Sequence, residues 1–221
     1  MYDPLVVGVW PACRDDQWPI ATPVLVHGNR FVMIGDGADP QPIYESLDGA
    51  RWRATRTDAD WGTRYKSADA SFAGALWRVG GLEPRGEQRS YFNDVWRSSD
   101  GTSWHRVIAV TLWLPRAGAH LISFRDSLWL VGGEPNDGHV WSTRDGVTWV
   151  PHRDTGLPSA SPQAVVVFNG ALWVLGHGAG RRQRMTYGPR QMAPIGDECC
   201  LQRRGRLGPV RASGSPEAEC G

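Results

Sequence analysis

Three times this chain spells the same phrase: YESLDGARW at 44–52, WRSSDGTSW at 96–104 and WSTRDGVTW at 141–149. Before each copy stands a second phrase rich in glycine: FVMIGDG at 31–37, LWRVGG at 76–81 and LWLVGG at 128–133. A fourth copy of that second phrase, LWVLGHG at 172–178, has no Asp-Gly-x-x-Trp after it. Successive copies of the first phrase lie 52 and 45 residues apart. Repetition at this period constrains the fold more than any single residue does. Each unit is one supersecondary motif whose apolar faces are hidden only by its neighbours.

One unit reads as four short strands. In the third copy AHLISF (119–124) is apolar and β-rich, and RDS breaks it. LWLVGG (128–133) is a buried run, EPNDG (134–138) is turn chemistry, and HVWST (139–143) is a third strand. The Asp-Gly pair of RDGV predicts a tight hairpin of type I′, with positive φ at both central residues. TWVPH (148–152) is the fourth strand. The other copies align with few gaps, and the insert LEPRGEQRSYFN (82–93) accounts for the longer spacing. The aligned structural positions are the glycine pairs Gly80-Gly81 and Gly132-Gly133, and the turns Asp48-Gly49, Asp100-Gly101 and Asp145-Gly146. Trp52, Trp104 and Trp149 open the last strand of each copy. Four-stranded antiparallel units at this period, stacked about an axis, make a β-propeller. The expected fold is therefore all-β, with about three full blades and part of a fourth, an incomplete ring.

Composition excludes several functions. Net charge is +1, so no strong field points to nucleic acid or a membrane surface. No apolar run approaches the roughly 20 residues that a membrane helix needs. The twelve Trp mostly fall at repeat positions, which assigns them to the scaffold. The four Cys (13, 199, 200 and 220) have neither metal-ligand nor redox spacing, so no metal or cofactor is expected. The N-terminal segment lacks the pattern of a signal peptide, and the compartment stays unassigned.

The combination of glycine pair, aromatic strand, Asp-Gly turn and Trp over residues 19–178 resembles the kelch repeat family. The likeness is to the bacterial type whose blades end in VW-S-x-DG-x-x-W, akin to the central domain of galactose oxidase. The resemblance implies a propeller, usually of six or seven blades, and a protein that can be secreted. The Asp-box of sialidases differs by one residue between Asp and Gly. The copper site of the galactose oxidase type has no counterpart among this chain's Tyr, His and Cys. Around the blades the sequence predicts a lone outer strand and connector over 1–18, propeller blades over 19–180, and a disordered or out-of-frame tail over 181–221. In the first of these, Trp10 to Trp18, eight residues apart, mimics the connector from Trp52 to Trp61, nine apart. The tail carries eight Arg and no Phe or Trp.

Catalytic motifs are absent from the pattern, so no catalytic residue is assigned. The best polar constellation pairs Arg64 and Arg116, in W-G-T-R and W-L-P-R, with Glu83 and Glu134 behind the glycine pairs. At a channel mouth such residues would meet a carboxylate or a charged sugar. Equally, the arginines would tie adjacent blades together through carbonyls or acids, the commoner role of a repeat-periodic residue. Trp61 and Trp113, between blades, are candidates to stack on a ligand. The favoured function is a non-catalytic binding module whose loops, 82–93 and 134–138 above all, meet a protein or glycan. The alternative is part of a carbohydrate-active enzyme, like the sialic acid mutarotases or sialidases. The chain would form an oligomer if another chain completes its ring.

Overall fold

The computed structural model describes residues 22–37, 41–135, 138–153, 155, 162–176, 182–186 and 193–194. Among them every regular element is a strand. The first sheet contains β1 (Leu25–His27), β2 (Arg30–Ile34), β3 (Pro42–Ser46) and β4 (Arg53–Arg56). The second contains β5 (Ala68–Phe72), β6 (Ala75–Val79), β9 (Val95–Ser98) and β10 (His105–Ile108). Between β6 and β9 the insert forms its own ribbon, β7 (Leu82–Arg85) and β8 (Gln88–Tyr91). The third sheet contains β11 (Ala117–Phe124), β12 (Ser127–Glu134), β13 (Val140–Thr143) and β14 (Val150–His152). The fourth contains β15 (Pro162–Phe168), β16 (Ala171–Gly176), β17 (Arg182–Thr186) and the two-residue β18 (Ala193–Pro194). Each sheet is an antiparallel meander in sequence order, apart from the ribbon. These are propeller blades, three of them full and the fourth thin at its outer strand.

Packing between blades follows from strand alternation. Side chains two apart share a face, so each second strand offers one apolar row to each neighbour. Val32, Ile34 and Ile43 of the first blade pack on Leu76, Trp96 and Trp104 of the second. Trp77, Val79 and Ala70 of the second pack on Leu121, Leu128 and Leu130 of the third. Phe124, Trp129 and Val131 of the third pack on Leu172 and Val174 of the fourth. One apolar cluster thus fills each gap between consecutive blades.

Glycine pairs sit where linker meets blade. Gly80 and Gly81 have φ of +60° and +102°, and a Cβ on Gly80 would lie 2.6 Å from the Arg116 carbonyl oxygen. On Gly132 a Cβ would lie 2.2 Å from Pro162 Cδ. Both the left-handed backbone and the close approach of the next blade's first strand require glycine there.

The Asp-Gly turns depart from the expected type. Gly49, Gly101 and Gly146 have positive φ, but their aspartates do not. In place of a two-residue turn each phrase forms a wider loop built around the carboxylate. Asp145 Oδ1 accepts N–H bonds from Val147 and Thr148, at 2.8 and 2.7 Å. Thr143 Oγ1 donates to the same oxygen and accepts from the Gly146 N–H. Trp149 Nε1 then donates to the Gly146 carbonyl. Asp48 and Asp100 repeat the arrangement with Ser46 and Ser98. The carboxylate supplies the acceptors that a I′ turn would have drawn from the backbone. True left-handed pairs close the first hairpins instead, at Ala73-Gly74 and Asn169-Gly170.

A second correction concerns the end of the repeat. Residues 182–186 and 193–194 pair as β17 and β18, so part of the expected tail is fourth blade. The proposed N-terminal outer strand, with Trp10 and Trp18, and the rest of 181–221 lie outside the described residues.

Candidate functional site

The first strand of each blade is its innermost. β5 lies between β1 and β11, and β11 lies beside β15. Around them opens a cleft of about 1180 Å³. Its walls come from all four blades: Leu25 on β1, Ala68 and Asp69 on β5, His120 and Leu121 on β11, and Val165 on β15. Asp36, Tyr44, Tyr65, Lys66 and Ser67 add a polar rim.

Behind this wall is a buried charged network that the sequence reading missed. Arg78 is fully buried, with 0% exposure. Its guanidinium holds Asp69 with two bonds, Nε to Oδ1 at 2.8 Å and Nη2 to Oδ2 at 3.0 Å. It also donates to Gln41 Oε1 and to the Gly35 carbonyl, and it lies over the Trp61 ring at 4.9 Å. Gln41 Nε2 in turn donates to the Arg64 carbonyl at 2.7 Å. Gln41 and Gly35 belong to the first blade and Arg78 and Asp69 to the second, so the network joins them. The signal was in the alignment: Arg78 stands where the other copies have Met33, Leu130 and Val174. A lone cation on a buried strand needs a carboxylate beside it.

Asp36 bridges that network and the cleft. Its Oδ2 accepts the Lys66 N–H at 2.8 Å, and its Oδ1 lies 3.5 Å from Arg78 Nη2. Burial pushes its pKa above the usual carboxylate range; Arg78 and the Lys66 N–H oppose this, and Asp69 adds to it. His120, across the cleft, bonds through Nε2 to the Pro162 carbonyl at 3.0 Å. Because a carbonyl only accepts, Nε2 carries the proton.

The four residues of the expected constellation do not share this cleft. Arg64 and Arg116 are each only 1% exposed. Arg64 donates to both oxygens of Asp94, one at 2.9 Å, and to the Gly80 carbonyl at 2.9 Å. Arg116 donates to the Gly132 carbonyl at 3.0 Å, sixteen residues on, as Arg64 does to Gly80. Both guanidiniums therefore tie an inter-blade linker to the glycine pair of the next blade. Glu83 pairs with Arg85 at 2.9 Å on the exposed ribbon. Glu134 is exposed at the end of β12, opposite Ala117. Trp61 and Trp113 are interior: Trp61 meets Trp104 edge-on with centroids 5.0 Å apart, and Trp113 meets Trp149 at 4.6 Å. Packed between blades, neither ring offers a face to a ligand. Among the described residues no three His, Cys, Asp or Glu side chains gather as metal ligands would.

No family model matches the chain, and none of the curated proteins compared with it matches. The kelch assignment is withdrawn on that finding. Its motifs are explained by what any such blade demands: glycine where a linker crosses, Asp to organise the loop, Trp in the gap. Solved structures do match. YjhT superposes with a TM-score of 0.56 at 16% identity, over 69% of this chain and 56% of that one. The Bombyx mori GH32 beta-fructofuranosidase superposes with a TM-score of 0.50 at 10% identity, over 76% of this chain and 42% of that one. At such identities the likeness establishes the fold alone, and the fold is the β-propeller. The chain spans about half the length of these structures.

Proposed function

We propose that the chain is a non-catalytic binding module that takes a neutral glycan in the cleft between its inner strands. The observation that supports this is Asp36, a desolvated carboxyl on the rim with Tyr44 and Tyr65 nearby. Carboxyl oxygens accept from sugar hydroxyls, and aromatic faces cover the apolar C–H faces of a sugar ring. A neutral ligand fits because the arginines behind the cleft are engaged, Arg78 by Asp69 and Arg64 by Asp94, and the rim carries one group of each sign, Lys66 and Asp36. A second free carboxylate, which glycoside hydrolysis ordinarily requires, is not offered by Asp69, since Arg78 clamps it bidentately. The ribbon β7–β8 rises beside the rim, its base bridged to Tyr65 through Leu82, and extends the surface a partner would meet.

Calorimetric titration with neutral oligosaccharides (cello-, malto-, xylo- and fructo-series) tests the reading. Saturable binding is expected for at least one series, weakened tenfold or more by Asp36→Ala or Tyr65→Ala and unaffected by Arg85→Ala. Absence of binding across the panel, or binding indifferent to Asp36→Ala, would overturn it. The raised pKa of Asp36 favours a second reading, a carbohydrate-active enzyme with Asp36 as general acid. Turnover of a bound oligosaccharide, lost in Asp36→Asn while binding persists, would replace the first reading with this one.

A further inference from the structure

We propose that Lys66 is a ligand contact that the cleft keeps in spite of backbone strain, its ammonium donating to hydroxyl oxygens of the glycan beside Asp36. The inference rests on the glycan reading above and adds the donor that the acceptor Asp36 needs as its complement. It starts from a comparison of two inter-blade linkers. Residues 61–72 and 113–124 align without a gap, so Trp61 matches Trp113, Arg64 matches Arg116 and Phe72 matches Phe124. The two matched arginines make the same tie to a glycine pair. Immediately after them the linkers diverge: Tyr65 stands at the place of Ala117, and Lys66 at the place of Gly118. The backbone is left-handed in both, with φ of +53° at Lys66 and +66° at Gly118. Glycine takes that conformation without strain, and a residue with a Cβ does not. The other described non-glycine residues with positive φ, Ala73, Arg125 and Asn169, sit in the hairpins that join the first two strands of a blade. Lys66 closes no hairpin. Strain of this kind, held at a ligand cleft, marks a place where the side chain itself is needed.

The strained pair is pinned from the first blade, the ribbon and the third blade. The Lys66 N–H donates to Asp36 Oδ2 at 2.8 Å, and the Lys66 carbonyl accepts from the Gly118 N–H at 2.8 Å. Tyr65 exchanges backbone bonds with Leu82 in both directions, at 2.8 and 2.9 Å. The Tyr65 ring lies against Gly37, where a Cβ would fall 2.6 Å from its Cε1. Asp36, Tyr65 and Lys66 all line the cleft. The backbone that carries them is therefore fixed before a ligand arrives, which lowers the ordering cost of binding. An ammonium only donates and an ionised carboxylate only accepts, whereas a sugar hydroxyl does both. Side by side on one rim, Lys66 and Asp36 supply the two complementary halves of hydroxyl recognition, with the Tyr65 ring next to them.

Lys66 is the chain's one lysine, so amine chemistry reads it alone among the side chains. The full chain is treated with acetic anhydride, with and without a saturating concentration of whichever cello-, malto-, xylo- or fructo-oligosaccharide it binds best. Acetylation of Lys66 is followed by peptide mass spectrometry, and the sugar should slow it several-fold. Lys66→Asn tolerates the left-handed backbone but removes the ammonium. By calorimetry it should weaken binding of that oligosaccharide roughly tenfold, the worth of one hydrogen bond to a charged group. Lys66→Gly should weaken binding as much, while its melting temperature stays at or above that of the wild type because the strain is gone. Unchanged acetylation under saturating sugar, wild-type affinity in Lys66→Asn, or a Lys66→Gly variant that melts below the wild type would overturn the inference and leave the glycan reading standing. A wild type that binds none of the four series sinks the glycan reading itself, and this inference with it.

Discussion

At the scale of the residue, Arg78 is the most informative side chain, and it was legible only as an exception. The repeat alignment marks its position as apolar, and the charge breaks the pattern. What it bonds was not legible, since Asp69 lies across a hairpin and Gln41 in another blade. Removing one partner of a buried pair leaves an uncompensated charge. Arg78→Met is expected to cost about 3–5 kcal/mol in denaturant unfolding, and Arg78→Met with Asp69→Leu to recover much of that. A single substitution costing no more than the double would refute the network's role. Asp94 offers the converse experiment. It accepts from Arg64 and from Trp96 Nε1, whereas the equivalent place in the third blade is His139, and the buried Trp141 Nε1 has no acceptor among the described residues. His139→Asp restores that acceptor and should raise stability by about 1 kcal/mol, read as a higher melting temperature. No change, or a loss, would mean that the two slots differ in geometry.

At the scale of the element, strands and their order were readable because period-two alternation and glycine punctuation act locally. The Asp-Gly loop was located by sequence but mistyped, because the dipeptide does not reveal that Ser or Thr two residues earlier joins the carboxylate. Those bonds have a titration consequence. For Asp145 the Thr148 N–H leads, burial opposes it, and the Val147 N–H and the Thr143 hydroxyl help to hold the pKa down to about 2. For Asp100 burial pushes upward, but the N–H groups of Ser103 and Thr102 and the Ser98 hydroxyl still bring it to about 2. The folded pKa lies below the unfolded value of about 4, so the ionised carboxylates stabilise the fold above that pH. That contribution is lost as the pH falls from about 4 towards about 2. Asp100→Asn with Asp145→Asn should flatten the stability profile in this window and lower stability at neutral pH. An unchanged acid slope would contradict the loop assignment.

At the scale of the whole molecule, the repeat made the propeller legible and the site nearly invisible. Arg64 and Arg116 drew notice because they recur, and recurrence marked the linker-to-glycine ties they make. The cleft is built from residues that do not recur: Asp36, Tyr65, Lys66 and His120 come from different loops and strands. Only the convergence of the inner strands brings them together, and no spacing in the sequence encodes that. The family name also rested on recurring residues, which belong to the blade rather than to a lineage. The central claim, a glycan in this cleft, is tested most directly by amide and side-chain shift mapping during titration with the best-binding neutral oligosaccharide. The account predicts that perturbations cluster at Asp36, Tyr65, Lys66 and His120. Shifts confined to the β7–β8 ribbon, or none at all, would contradict it.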